Sequence, residues 1–371
     1  MVRVGLRMMV HDRLKLAGTV AGVVFAVILV GQQLGVLFGL LHKNTMFVEH
    51  AGADVWVAPV GTELLQPGAL LARGTLESAR VVEGVDVAAP LIFTGASISK
   101  PGGGGEPITL VGSARPHRLG GPWNVVAGDE RALSEPDTLL LEDSEREKFG
   151  GLNLGSEREV NGQQVRVGGF VWGLLPFGPA YAFADLNVAR QLSGTPDRRY
   201  HYVLVRTADG QDPAAVASRL QEAIPNAKVM TASGFKDSIV AYLLREQLGL
   251  SFGTSTTFGL IIGFVIVALA MFSSVLDNLR ELGTLKAIGC TNGDLGLMLL
   301  AQSVGYALIG SFIGLGLVTQ IAGNIRGAKL TVLLPTELFL IVPVVMVVIC
   351  LAASTLALLR IRKLEPGVVF R

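Results

Sequence analysis

Residues 16–41 read LAGTVAGVVFAVILVGQQLGVLFGLL. This stretch holds no Asp, Glu, Lys or Arg, and its reading decides the fold class. A helix needs about 20 mostly apolar residues to cross roughly 30 Å of hydrocarbon. A buried soluble helix rarely runs so far without a charge. The apolar run is also longer than a signal-peptide core, and no A-x-A-like cleavage site follows it, so it reads as a retained membrane-spanning helix.

Three more windows lack Asp, Glu, Lys and Arg: Gln247 to Leu276, Leu295 to Ile325, and Leu338 to Leu359. The whole chain of 371 residues has a mean hydropathy of +0.52. Charged residues make up only 16% of it, against about 25% in a typical soluble domain. Lys and Arg near the helix ends set the orientation. Arg3, Arg7, Arg13 and Lys15 precede the first window, and Arg360, Arg362, Lys363 and Arg371 follow the last. Both termini are therefore expected in the cytoplasm, in the inner membrane of the cell. The expected fold is an α-helical membrane protein with four transmembrane helices and a mixed α+β extracytoplasmic domain between the first and second. The expected order is an amphipathic helix at 1–15, the first span at 16–41 and the outside domain at 42–246. Span two at 247–276, a cytoplasmic loop at 277–294 and span three at 295–325 follow. An external loop at 326–337, span four at 338–359 and a cytoplasmic tail at 360–371 complete it.

The outside segment differs in composition. It holds all three tryptophans and every proline except Pro335, Pro343 and Pro366. Strand-like runs recur at Asp54–Ala58, Val85–Thr94, Ile108–Gly112, Thr138–Leu141, Val165–Val171 and Tyr200–Arg206. Asn161-Gly162 reads as a hairpin turn. Helical patterns fall at Asp185–Leu192 and Pro213–Ile224. The glycine run Gly102–Gly105 reads as a surface loop; no Lys-Ser/Thr follows it, so it is no phosphate cradle. Neither cysteine, Cys290 or Cys350, lies in this segment, so no disulfide framework holds it. From Ser233 to Leu276 the pattern permits one nearly continuous helix of about 66 Å. That is twice the hydrocarbon thickness, and implies a stalk from about residue 233, with Gly249 and Gly253 as candidate kinks.

Some functions are disfavoured. A net charge of +1 gives no basic footprint for nucleic acid. No Asp, Glu, His, Lys or Arg interrupts the spans, which argues against an ion-coupled carrier. No Gly-x4-Gly-Lys-Ser/Thr motif occurs, so ATP has no visible site in this chain. The five histidines are scattered, without a nucleophile–base pairing. Small-x-x-x-small pairs, Gly18/Gly22 and Gly259/Gly263 among them, allow close helix approach. They serve packing within one chain or a contact with a second copy of it. His42, Met46 and His50, at i, i+4 and i+8, share a helix face if the first helix continues, and could ligate haem iron. The alternative is an interfacial anchor.

The loop after the second span reads Asn278-Leu279-Arg280-Glu281-Leu282-Gly283-Thr284-Leu285-Lys286-Ala287-Ile288-Gly289-Cys290-Thr291. Bare of comparison, it is a short amphipathic helix ended by Gly289. It resembles the coupling-helix motif E-x-G-x-L-[KR]-A-I-G of FtsX/MacB-like permeases, the type VII ABC systems. Glu281, Gly283, Leu285, Lys286, Ala287, Ile288 and Gly289 carry the match. The basic end Arg360-Ile361-Arg362-Lys363-Leu364-Glu365-Pro366 with Val369-Phe370 is similar to the family's C-terminus. The wording Gly-Thr-Leu-Lys-Ala-Ile-Gly looks closest to the DevC branch.

The resemblance implies a non-catalytic permease subunit of a mechanotransmission exporter, driven by a separate ABC ATPase that binds ATP and Mg. It implies ATPase contact through Arg280, Glu281, Gly283, Leu285, Lys286, Ile288 and Gly289, and a homodimer. The DevC branch further implies a periplasmic adaptor and a TolC-like outer-membrane channel, with a hydrophobic or amphipathic substrate such as a glycolipid or drug. The alternatives are haem export, and FtsX-like signalling to an external enzyme without transport.

Overall fold

The computed structural model describes residues 2–173, 178–277, 279–325 and 333–362. The chain divides into two compact units: residues 40–247, and residues 1–39 together with 248–371.

Residues 40–247 build one sheet of ten strands. These are β1 (Val55–Pro59), β2 (Val85–Ser99), β3 (Gly105–Ser113), β4 (Val125–Gly128), β5 (Thr138–Glu142), β6 (Glu157–Val160), β7 (Gln163–Val171), β8 (Ala180–Asp185), β9 (Tyr202–Thr207) and β10 (Ala227–Thr231). The spatial order is β10-β1-β9-β2-β3-β8-β5-β7-β4, and β6 pairs with β2 and β7. All neighbours are antiparallel except β3 with β8 and β5 with β7. The six runs expected to be strands all occur as strands. Asn161 and Gly162 join β6 to β7 with φ of 48° and 84°. A primed hairpin turn needs positive φ at both central residues, which Asn-Gly adopts readily. The run Gly102–Gly105 is exposed at the surface. It closes the β2–β3 hairpin, with Lys100 N–H donating to the Gly104 carbonyl at 3.1 Å, and Gly105 already belongs to β3.

Stretches of the inner strands are buried on both sides and apolar at consecutive positions, as in Leu139–Leu141 of β5 and Tyr181–Ala184 of β8. Alternation still sorts them. Val55 and Val57 of β1, with Val203 and Val205 of β9, pack against α3 (Thr75–Arg80) through Leu76 and Ala79. They also meet α5 (Pro213–Ala223) through Val216 and Leu220. Ala182 and Ala184 of β8 lie in the cluster that holds Leu186, Ala189 and Leu192 of α4 (Leu186–Ser193). The intervening residues Trp56, Tyr202, Tyr181 and Phe183 point the other way, as a period of two requires, into an aromatic cluster. Burial there pushes both phenols up, Tyr202 to about 12.

Four helices are long and apolar enough to cross a membrane. The first, α2, runs Arg13–His50, beyond both ends of the expected 16–41 span. Asp12 separates it from α1 (Val2–His11): its carboxylate accepts the Lys15 N–H at 3.1 Å, an N-cap that starts a new helix. Residues 2–15 therefore form a helix, a break and the first turn of α2.

The expected stalk region is helical throughout, as α6 (Ala232–Tyr242), a π-helical turn at Leu243–Leu248, and α7 (Gly249–Asp277). The irregularity falls just before Gly249, not at Gly249 or Gly253. A π turn takes up an extra residue without a glycine. There Arg245 pairs with Glu246 at 2.7 Å and with Glu63 at 3.1 Å. The remaining helices are α8 (Leu279–Ala287), α9 (Asn292–Ile325) and α10 (Leu338–Arg362).

Candidate functional site

The loop between α7 and α9 has a defined architecture. Gly289 carries a φ of 109°, a backbone region that a side chain disfavours and glycine tolerates. Its N–H donates to the Lys286 carbonyl at 3.1 Å, and the Cys290 N–H donates to the Leu285 carbonyl at 3.0 Å. These two bonds are the Schellman pattern, in which glycine one residue past the helix end satisfies carbonyls that would otherwise lack partners. Apolar packing anchors both residues at this helix end. Leu285 and Cys290 both pack against the buried cluster containing Leu295 and Met298.

One residue further, α9 begins with a reciprocal cap. Thr291 Oγ1 accepts the Asp294 N–H at 3.1 Å, while Asp294 Oδ2 accepts the Thr291 N–H at 3.0 Å and its hydroxyl at 2.7 Å. Such a box satisfies two helix-end donors at once. The stop of α8 and the start of α9 are thus fixed within four residues. Gly283 is buried, whereas Thr284, Ala287 and Gly289 are exposed and Lys286 is half-buried. Ile288 is 83% exposed. Arg280 and Glu281 belong to α8, but their side chains lie outside the described residues, as does the tail Lys363–Arg371.

Gly22, Gly259 and Gly263 each lie against a neighbour within the chain. A Cβ at Gly22 would run into Ile266 of α7. One at Gly263 would stand 2.7 Å from Ala26 of α2, and one at Gly259 would touch Val30 at 3.4 Å. Gly310 and Gly314 of α9 press in the same way on Val23 and Val27. Gly18 differs: nothing lies within 4 Å of its Cβ position.

His42, Met46 and His50 do lie on one continuous helix. The His50 ring, however, stacks on Trp123 at 4.9 Å, and its Nδ1 bonds the Met46 carbonyl oxygen at 2.9 Å. Among the described residues, no three His, Cys, Asp or Glu gather as a metal site.

Sequence reasoning passed over how two helices enter the sheet unit. Phe47, on the last turns of α2, is fully buried and meets Trp56, Phe93, Trp123 and Tyr181 at centroid distances from 5.5 to 6.2 Å. Phe235, on the first turn of α6, meets the same Trp56 at 5.3 Å. Lys236 of α6 pairs with Glu49 of α2 at 3.2 Å. Lys43 donates to the Gly173 carbonyl, and the Gly173 N–H donates to the buried Glu142 at 2.9 Å. The signal available in the sequence was an aromatic residue beyond each charge-free window.

Four helices long and apolar enough to cross a membrane, with a mixed sheet unit, describe a membrane-embedded protein. Residues 16–223 match the MacB-like periplasmic core domain, and residues 253–366 match the FtsX-like permease C-terminal region. The chain belongs to this FtsX/MacB family of ABC transporter permeases. It is 26% identical to the uncharacterized ABC transporter permease Rv2563 of Mycobacterium tuberculosis, over 96% of this chain and 95% of that one. It is 29% identical to the uncharacterized ABC transporter permease YknZ of Bacillus subtilis, over 46% of each. The solved extracellular domain of YknZ aligns with a TM-score of 0.36 and 18% identity, over 48% of this chain and 98% of that one. Membership of the family implies an ATPase partner.

Proposed function

We propose that this chain is the membrane subunit of an ATP-driven exporter and that a separate ATPase subunit docks on α8. The observation that carries the proposal is Ile288. A branched apolar side chain stands 83% exposed at a helix end whose geometry is fixed by Gly289 and by the Thr291–Asp294 cap. A few apolar anchors inside a polar rim supply most of the energy of a protein contact. Lys286 lies two residues before Ile288, and the motif adds Arg280 and Glu281, whose charges suit steering and reversibility. ATP and Mg would be held by the ATPase, and the permease itself would catalyse nothing covalent.

The basic flanks support an orientation with both termini and α8 in the cytoplasm and residues 42–246 outside the inner membrane. ATP binding then acts through a difference between two states of the permease. The aromatic seats of Phe47 and Phe235 support a transmission in which α2 and α6 move the sheet unit rather than slide past it. A second copy of the chain would complete the pathway, and Gly18 is open to such a contact. The wording of the coupling motif supports a hydrophobic or amphipathic cargo, such as a glycolipid or drug, and the adaptor and TolC-like channel of the DevC branch.

Co-purification with the ATPase encoded beside the gene tests the proposal. Association of the native chain, and its loss on Ile288→Asp, is the expected result. Association that survives Ile288→Asp would remove α8 as the docking site. Normal ATP turnover in proteoliposomes without cargo movement would favour signalling to an external enzyme.

A further inference from the structure

The short helix α1 presents three different faces. At 100° per residue, Gly5 and Met9 lie on one side, and both are buried. That side seats on α9. The Gln302 amide donates to the Gly5 carbonyl at 3.1 Å, and a Cβ at Gly305 would stand 3.0 Å from the Met9 sulfur. The next face around carries Leu6 and Val10, exposed at 38% and 56%. Beyond them come Arg3, Arg7 and His11, all exposed. Among the described residues no carboxylate pairs with these three. The nearby acid, Asp12, is taken by Lys15 at 3.0 Å. In the first turn of α2, Leu14 is 85% exposed between Arg13 and Lys15.

We infer that α1 is a docking surface for anionic phospholipid, with Leu6 and Val10 entering the acyl boundary while Arg3 and Arg7 bind headgroup phosphates. Two observations favour a lipid surface over an acidic protein, and a third fits its charge. The apolar ridge lies between the α9 contact and the basic row, the order in which an interfacial helix meets protein, acyl chains and headgroups. Leu14, at the start of α2, adds a third exposed apolar side chain on a helix long and apolar enough to span the bilayer. The exposed charges of the row are cationic, as anionic headgroups require. Because α1 seats on α9 within three turns of the Thr291–Asp294 cap, headgroup binding would hold the helix that carries the docking loop. The lipid contact itself does not depend on whether the chain exports anything.

The test uses the full chain, purified from vesicles of phosphatidylglycerol and phosphatidylcholine, with retained lipid counted by native mass spectrometry. The native chain should retain phosphatidylglycerol preferentially at low salt and lose the preference at high salt. Each neutralised arginine should lower the ratio about fivefold, so Arg3→Gln with Arg7→Gln lowers it roughly 25-fold. Arg3→Lys with Arg7→Lys keeps it, because charge is what the surface reads. Arg131→Gln, on the sheet unit, leaves it unchanged. A double Gln variant that keeps the native ratio overturns the inference. A double Gln variant that keeps the ratio yet no longer binds the ATPase assigns the surface to a protein instead. Unaltered helical circular dichroism and thermal melting of the whole chain in each variant exclude misfolding as the cause.

Discussion

The Cys290 N–H donates to the Leu285 carbonyl at 3.0 Å, so the last turn of α8 is closed by a residue that lies past its end. That closure depends on Gly289 reaching a φ of 109°. Replacing Gly289 by Val should cost about 1–2 kcal/mol locally, while Asn, which tolerates positive φ better, should cost less. The expected readout is weaker ATPase association in the order native, Asn, Val. Membrane insertion and thermal melting of the sheet unit should not change.

Close helix approach in the membrane unit predicts a contrast between two glycines. Gly22→Val forces a branched side chain into Ile266 and should destabilise the purified chain by about 1–3 kcal/mol. The same change at Gly18, where nothing lies within 4 Å, should leave the melting of the monomer unchanged. Cross-linking yield then reports whether Gly18 faces a second copy. Equal melting losses at both positions would contradict the packing described.

The aromatic seats predict large and coupled effects. Phe47→Ala removes a fully buried ring and should cost about 3–5 kcal/mol. Phe235→Ala should cost a similar amount, and the double variant less than their sum, because both rings touch Trp56. Lys236→Ala breaks only a partly exposed ion pair with Glu49 and should cost under about 1 kcal/mol. Denaturant unfolding followed by tryptophan fluorescence measures all four.

A buried histidine predicts a pH dependence. His201 is 6% exposed and its Nδ1 has no partner, and burial lowers its pKa from 6.5 to about 4. The unfolded chain therefore takes up a proton that the folded chain refuses. His201 costs no stability above pH 6.5, and its penalty grows as pH falls through 6.5 toward 4, at about 1.4 kcal/mol per pH unit. His201→Leu should flatten that slope in unfolding curves taken between pH 7 and 4. An unchanged slope in the variant would assign the acid sensitivity to other groups.

Much of this structure was legible in the sequence because two strong signals carry it. Charge-free windows over 20 residues long leave a helix few alternatives, and alternating β-branched runs with Asn161-Gly162 leave the hairpin few. Strand β8 went unread. Its sequence Ala180–Asp185 is half alanine, a poor strand former, and it is a strand because β3 and β5 flank it. The π turn at Leu243–Leu248 went unread for a different reason. Gly249 and Gly253 are the visible candidates for irregularity, whereas an extra residue in a helix leaves no compositional mark. At the candidate site, the motif located α8 and Gly289, but Thr291 and Asp294 form a Thr-x-x-acid box ahead of an apolar run that could have been found by inspection. Which helix each membrane glycine meets is a tertiary fact. Gly18 and Gly22 both follow an alanine on one apolar helix, and only Gly22 meets a neighbour.

The most direct measurement is ATP turnover by the ATPase reconstituted with the permease in liposomes. The native pair is compared with Ile288→Asp and with Lys286→Glu, each checked for insertion and folding. If α8 transmits the nucleotide state, both variants lower permease-dependent turnover, Ile288→Asp by tenfold or more for loss of an anchor worth about 1.4 kcal/mol or above. Turnover stimulated equally by the native chain and both variants would contradict the assignment of α8 as the coupling element.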